Sequence, residues 1–247
     1  ERKPLIINGA RQVGKTFIIE RFGEEHYDSM LYLNMEIENS LNKFFETEIS
    51  PPKIIQYLEA TMMQEIVPGK TLIFIDEIQS CERALTSLKY FYEQMPEHHI
   101  IAAGSLLGVA INREKFSFPV GKVNEISMYP MDFEEFLWAM NGELIAEKIK
   151  EHFTNNQAMP EAYHDVALDW YQKYFIIGGM PAVVGQFVKT QSFIKCQIIQ
   201  NEILNQYLID MSKYAEPTTG IKIRACYNSI PAQLAKENAK FQYKVVQ

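Results

Sequence analysis

The sequence predicts an α/β protein, with a parallel sheet flanked by helices and then a mostly helical region. Three observations lead there. Uninterrupted apolar runs such as Thr71-Leu72-Ile73-Phe74-Ile75 have the pattern of strands buried on both faces of a parallel sheet. These runs alternate with stretches whose apolar residues recur at helical spacing, the rhythm of βαβ units. From Asp132 the rhythm changes, and Gly142 to about Thr219 reads almost wholly helical.

In chain order, Pro4–Asn8 reads as a first short strand, and Phe17–Phe22 continues as a helix. Met30–Met35 is a second strand, and Asn39-Ser40 signals a helix start. Pro51-Pro52 suits the first turn of a helix running through Ile54–Glu59, which Pro68-Gly69 is expected to end. Thr71–Ile75 is the third strand, Glu82–Met95 a helix stopped by Pro96, His99–Gly104 the fourth strand and Val123–Met128 a fifth. The domain boundary is expected near Tyr129-Pro130, giving a core over residues 1–130 and a helical lid or linker over 131–218. Asp132–Trp138 is a capped amphipathic helix, and breaks are expected at Asn155-Asn156, Gly178-Gly179 and Pro181. Residues 221–230 and 232–238 read as two short helices joined at Pro231, and Phe241–Val246 alternates like a strand. Helix, turn, helix, strand is the order of a winged helix-turn-helix, so residues 219–247 are expected to begin such a module.

Composition narrows the function classes. A net charge of −7 over 247 residues argues against coating nucleic acid or an anionic membrane with the whole surface. No run approaches the roughly 20 apolar residues of a membrane span. Cys81, Cys196 and Cys226 stand far apart with no C-x-x-C pair, which argues against a disulfide framework or zinc site and fits a reducing cytoplasm. The sequence opens on Glu1 and ends at Val246-Gln247 inside a strand-like run, so both ends are expected to be trimmed.

The chemistry is concentrated near the start. Gly9-Ala10-Arg11-Gln12-Val13-Gly14-Lys15-Thr16 fits the phosphate-binding pattern Gly-x-x-x-x-Gly-Lys-[Ser/Thr] at every fixed position, between a strand and a helix. Gly9 and Gly14 let successive N–H groups curl inward, and the helix opening through Phe17 adds its positive end, so residues 9–17 form a concave cage for a polyphosphate. Lys15 is expected to reach the β- and γ-phosphates, and Thr16 to place its hydroxyl on Mg²⁺. Asp76 ends a buried strand, where open α/β sheets bind ligands, and is expected to hold Mg²⁺, with Glu77 polarising the attacking water. Two adjacent carboxylates there need a cation to stay ionised. Ser105 follows the fourth strand, either meeting the γ-phosphate or the water or capping the helix after it. Arg83, Arg113 and Lys122 are the cations available to meet developing negative charge, in some enzymes supplied by a second copy of the chain; spacing selects none of them, and each reads first as a solvated surface charge. Arg11 reads as pointing to solvent. His98-His99, with no third ligand in view, read as edge or core residues, and Trp138, Trp170, Tyr171 and Tyr174 as core packing.

Residues 221–247 carry Lys222, Arg224, Lys236, Lys240 and Lys244 against Glu237 alone, a charge of +4 that leaves −11 for the rest. A basic helical hairpin on an acidic chain suits contact with a DNA backbone; the blander reading of the same residues is a packing module with a solvated basic face.

Together, Gly9–Thr16, Leu72–Gln79, Ala103-Gly104-Ser105, Phe118–Lys122 and Tyr129–Leu137 resemble a prokaryotic AAA+-like P-loop ATPase family, whose members join an ATPase core to a C-terminal domain of unknown function, in some cases considered nuclease-like. Phe175–Pro181 and Ser229–Asn238 resemble its linking helical and winged-helix segments. The resemblance implies the roles given above for Lys15, Thr16, Asp76 and Glu77, ATP rather than GTP, and any nuclease-like domain beyond Gln247. The chain has Gly121-Lys122 where the family often has Gly-Arg, and a lysine cannot grip phosphate with a two-pronged fork. The expected function is Mg²⁺-dependent ATP binding and hydrolysis, with nucleotide state moving the helical region. Its rivals are a P-loop kinase acting on a small molecule and a nucleotide-gated DNA-binding switch.

Overall fold

The structure is a computed structural model that describes residues 2–105, 119, 121–213 and 217–235. The chain divides into two compact units, Glu1–Asp132 and Phe133–Gln247.

The first unit is built on five strands, β1 (Leu5–Gly9), β2 (Ser29–Asn34), β3 (Thr71–Asp76), β4 (His99–Ser105) and β5 (Asn124–Met128). They form one sheet in the order β2-β3-β4-β1-β5, and each neighbouring pair is parallel. Helices α1 (Lys15–His26), α2 (Asn39–Thr47), α3 (Pro51–Met62) and α4 (Glu82–Gln94) fill the crossovers. The two-residue period of a strand divides the apolar runs between two cores. Ile73 and Ile75 join Leu41, Phe45, Ile54, Leu58, Leu85 and Leu88 of α2, α3 and α4. Leu72 and Phe74 join Ile19 of α1, with Ile101 and Ala103, on the other face. Every residue of β3 is therefore buried, which explains its lack of polar interruptions.

β5 is different. Among the described residues it pairs only with β1, and Asn124 through Ser127 are exposed, so its mixed composition is that of an edge strand. It also explains the first glycine of the phosphate pattern. A Cβ on Gly9 would lie 2.3 Å from the backbone oxygen of Met128, so only glycine lets the two strands close.

The helix α3 corrects one boundary. It ends at Met62 with Met63 at φ 51°, in the left-handed region, six residues before Pro68 of the Pro68-Gly69 break the sequence suggests.

The second unit contains α5 (Phe133–Ala139), α6 (Glu143–Thr154), α7 (Glu161–Ile177), α8 (Pro181–Thr190), α9 (Phe193–Lys213) and α10 (Pro217–Leu234). Its core gathers Phe136, Leu137, Ala146, Ile177, Val183, Val184, Phe187, Cys196 and Ile203. Phe136 is the hub of an aromatic cluster, with ring centroids 5.3 Å from Tyr174 and 6.3 Å from Trp170. Trp138, expected in the core, is instead 49% exposed, because α5 is short and buries only the face of Phe136 and Leu137.

Pro231 does not separate two helices. α10 runs through it, and the Ala235 N–H still donates to the Pro231 carbonyl at 3.1 Å. The proline stands within a turn of the helix end, so the bond lost with its missing N–H disturbs little beyond it. The helix-turn-helix reading thus loses its turn. Lys236, Glu237, Asn238, Lys240, Lys244 and the expected strand Phe241–Val246 lie outside the described residues, as do Arg113, Phe118 and Val120. None of the described helices is long and apolar enough to cross a membrane.

Candidate functional site

Parallel pairing brings the carboxyl ends of β1, β3 and β4 together at one edge of the sheet. Gly9 pairs with Ser105, and Asn34 pairs with Asp76. The chain leaves β1 at Gly9 and enters α1 at Lys15 through a tight loop. Gln12 at φ 66° and Gly14 at φ 96° turn that loop through left-handed backbone, which at Gly14 costs a residue without Cβ little. The first-turn N–H groups of α1, which a helix leaves without internal partners, carry no side-chain cap, so they are available to an anion.

Lys15 is buried, and its ammonium donates to the backbone oxygens of Gly9 at 3.0 Å and Ala10 at 2.8 Å. Burial holds its pKa below the ordinary lysine value, against the opposing pull of Glu77 and Asp76, while Arg11 adds to the lowering. A cation already drawn toward two carboxylates and partly stripped of water is suited to accept an anionic ligand.

Beside it, the Thr16 hydroxyl donates to Oδ2 of Asp76 at 2.9 Å, and the Glu77 N–H donates to Oδ1 at 2.9 Å. Asp76 is only 6% exposed. A hydroxyl and a carboxylate side by side are hard oxygen donors of the kind Mg²⁺ takes from proteins, which supply it with few ligands and leave the rest to water and phosphate. Among the described residues no group of three or more His, Cys, Asp or Glu is gathered that could hold a metal. The pair Thr16 and Asp76 fits a loosely held Mg²⁺ rather than a protein cage.

Glu77 stands at φ 51° in a short left-handed step after β3. Its carboxylate accepts from Nε2 of Gln79 and lies 3.9 Å from the Arg11 guanidinium, which also lies 4.0 Å from Glu36. Arg11 is therefore not a solvent-directed bystander. It sits among acids because the loop turns its third residue back over the strand ends.

The remaining candidates are dispersed. Phe17 is 65% exposed, so its side chain adds nothing buried to the loop. Arg83 donates to the Phe45 carbonyl at 2.5 Å and ties α4 to α2. Lys122 pairs with Glu93 at 3.1 Å, just before β5 and at the opposite end of the sheet from the phosphate loop. His98 is buried, whereas His99 accepts or donates at 3.0 Å with the Tyr27 hydroxyl. Cys81 and Cys196 are buried, and burial pushes both thiols up.

Sequence reasoning misses Tyr32 and Asn34. The Tyr32 hydroxyl donates to Oδ2 of Asp76 at 3.2 Å, and Asn34 Nδ2 donates to the Tyr32 oxygen at 3.2 Å. The one available signal is positional: they are two apart on β2, on one face, at its carboxyl end.

A family described as an AAA domain matches residues 1–137, and a domain of unknown function (DUF8612) matches residues 168–247. Comparison with curated proteins finds no match. Among solved structures, AMPPCP-bound DnaA from Aquifex aeolicus is similar at 13% identity and a TM-score of 0.43, over 100% of this chain and 80% of that one. The match over residues 1–137 covers more than half of the sequence, and the chain belongs to the AAA domain family.

Proposed function

We propose that the first unit binds ATP with Mg²⁺ and hydrolyses it to ADP and phosphate. The observation that carries this reading is the Thr16–Asp76 contact of 2.9 Å, beside the buried Lys15 and the uncapped helix end. Lys15 neutralises the β- and γ-phosphates, and the loop amides orient them. Thr16 and Asp76 would hold Mg²⁺, which when bound supplies charge neutralisation and orients the phosphates. Glu77, aimed by Gln79 and Arg11, accepts a hydrogen bond from the attacking water and draws off its proton as the bond to the γ-phosphorus forms and the bond from that phosphorus to the bridging oxygen breaks, releasing ADP. Ser105, at the end of the strand next to β1, offers a hydroxyl to the γ-phosphate or the water.

Adjacent Asp76 and Glu77, one for metal and one for water, favour water over a small-molecule acceptor. Titration of the purified chain with ATP and GTP, with and without Mg²⁺, tests the reading. Tight Mg²⁺-dependent ATP binding that Lys15→Ala removes supports it; equal binding in the variant contradicts it. In a second reading the nucleotide gates DNA contact by the +4 segment over residues 221–247. A mobility shift at low salt, lost on Lys236→Glu plus Lys240→Glu, supports that reading, and no shift at low salt contradicts it.

A further inference from the structure

The buried carboxylate of Asp76 has two side-chain donors on one oxygen. Thr16 reaches Oδ2 from the phosphate loop and Tyr32 from β2. Thr16 is itself proposed to give an oxygen lone pair to a cation, and its O–H can stay on Asp76 when the site is filled, so its position is tied to the cation as well as to the carboxylate. Tyr32 holds the same oxygen from the other side, from a strand rather than from the phosphate loop.

The direction of the Tyr32 proton is fixed by its neighbours. The Glu36 N–H donates to Oδ1 of Asn34 at 3.0 Å, which settles which end of that amide is oxygen. Nδ2 of Asn34 therefore faces the Tyr32 oxygen and donates to it at 3.2 Å. With its oxygen accepting from Asn34, the phenol turns its single proton to Asp76. Each bond polarises the next, so the chain from Glu36 through Asn34 to Tyr32 makes the last donor stronger. The ring is held in turn by packing on fully buried Phe74, with centroids 5.2 Å apart.

We propose that Tyr32 is a positioning residue that sets how tightly the site holds its divalent cation, by fixing the Asp76 carboxyl group through the Asn34 relay. This rests on the nucleotide-site reading above. Oxygen ligands held by such outer hydrogen bonds lose about 10–100-fold in metal affinity when the partner is removed.

The test uses Mn²⁺ as the probe, with binding to the full chain followed by electron paramagnetic resonance in the presence of AMPPCP. Tyr32→Phe keeps the ring on Phe74 and removes only the hydroxyl. Its Mn²⁺ dissociation constant is expected to rise at least about tenfold, while AMPPCP affinity in EDTA and the thermal midpoint stay at wild-type values. Asn34→Ala, which leaves the phenol but frees its proton, should weaken Mn²⁺ by a smaller factor in the same direction. Wild-type Mn²⁺ affinity in Tyr32→Phe overturns the role of Tyr32 alone. A wild-type chain that takes up no Mn²⁺ with AMPPCP overturns the site reading and the tyrosine's role with it. Loss of thermal stability in Tyr32→Phe in proportion to the loss of Mn²⁺ marks a structural residue and also overturns the proposal.

Discussion

The hydroxyl of Thr16 lies 2.9 Å from Oδ2 of Asp76, 60 residues further along the chain. One group opens the helix after β1 and the other ends β3, two strands away across the sheet. Their meeting joins the two halves of the proposed phosphate and metal site. Thr16→Ala should leave the Asp76 carboxylate in place and remove one oxygen ligand. The Mg²⁺ concentration that half-saturates ATP binding is expected to rise by about 10–100-fold, with metal-free nucleotide binding little changed. Calorimetric titration at several Mg²⁺ concentrations checks this; an unchanged Mg²⁺ requirement removes Thr16 from the site.

Gly9 is set by the approach of β5 rather than by the loop alone. A methyl group there meets the Met128 oxygen at 2.3 Å, and that oxygen belongs to backbone that cannot rotate away. Gly9→Ala should therefore cost about 1–3 kcal/mol, as overpacking does elsewhere, and displace β5 from β1. Denaturant unfolding measures the cost. A variant as stable as wild type would mean that the edge strand moves aside freely.

His98 gives the first unit a sensitivity to acid. Burial holds its pKa below the ordinary value of 6.5, although Glu97 and Glu59 pull the other way. As pH falls below 6.5 the unfolded chain takes up the proton first, so stability drops until the folded value is reached and is level below it. His99, held down by burial, by Arg2 and by His98, acts in the same direction. His98→Gln should make the thermal midpoint fall less steeply over that interval without abolishing the slope. Identical slopes in the two proteins would show that His98 protonates as readily folded as unfolded.

The parts legible in the sequence were those written locally. The run Leu72–Ile75 declares a strand buried on both faces, and Gly9–Thr16 declares a turn that only two glycines and a lysine at fixed spacing satisfy. What escaped was decided by neighbours distant in sequence. Tyr32 reads as one more strand residue until β2 is aligned with β3, which sets Asn34 against Asp76. Arg11 reads as a solvent charge until the loop folds it toward Glu36 and Glu77. Pro231 reads as a break because proline opposes helix interiors, yet so near the helix end it forfeits little.

In the proposed reaction Glu77 activates water for attack on a nucleotide held by Lys15, Thr16 and Asp76. Phosphate release measured for wild type and Glu77→Gln, with bound ATP quantified in the same samples, tests it most directly. Wild type should release phosphate in an Mg²⁺-dependent way, and Glu77→Gln should retain ATP with turnover slowed by about 10²–10⁴-fold. Turnover in Glu77→Gln equal to wild type, or no ATP held by either protein, would contradict it.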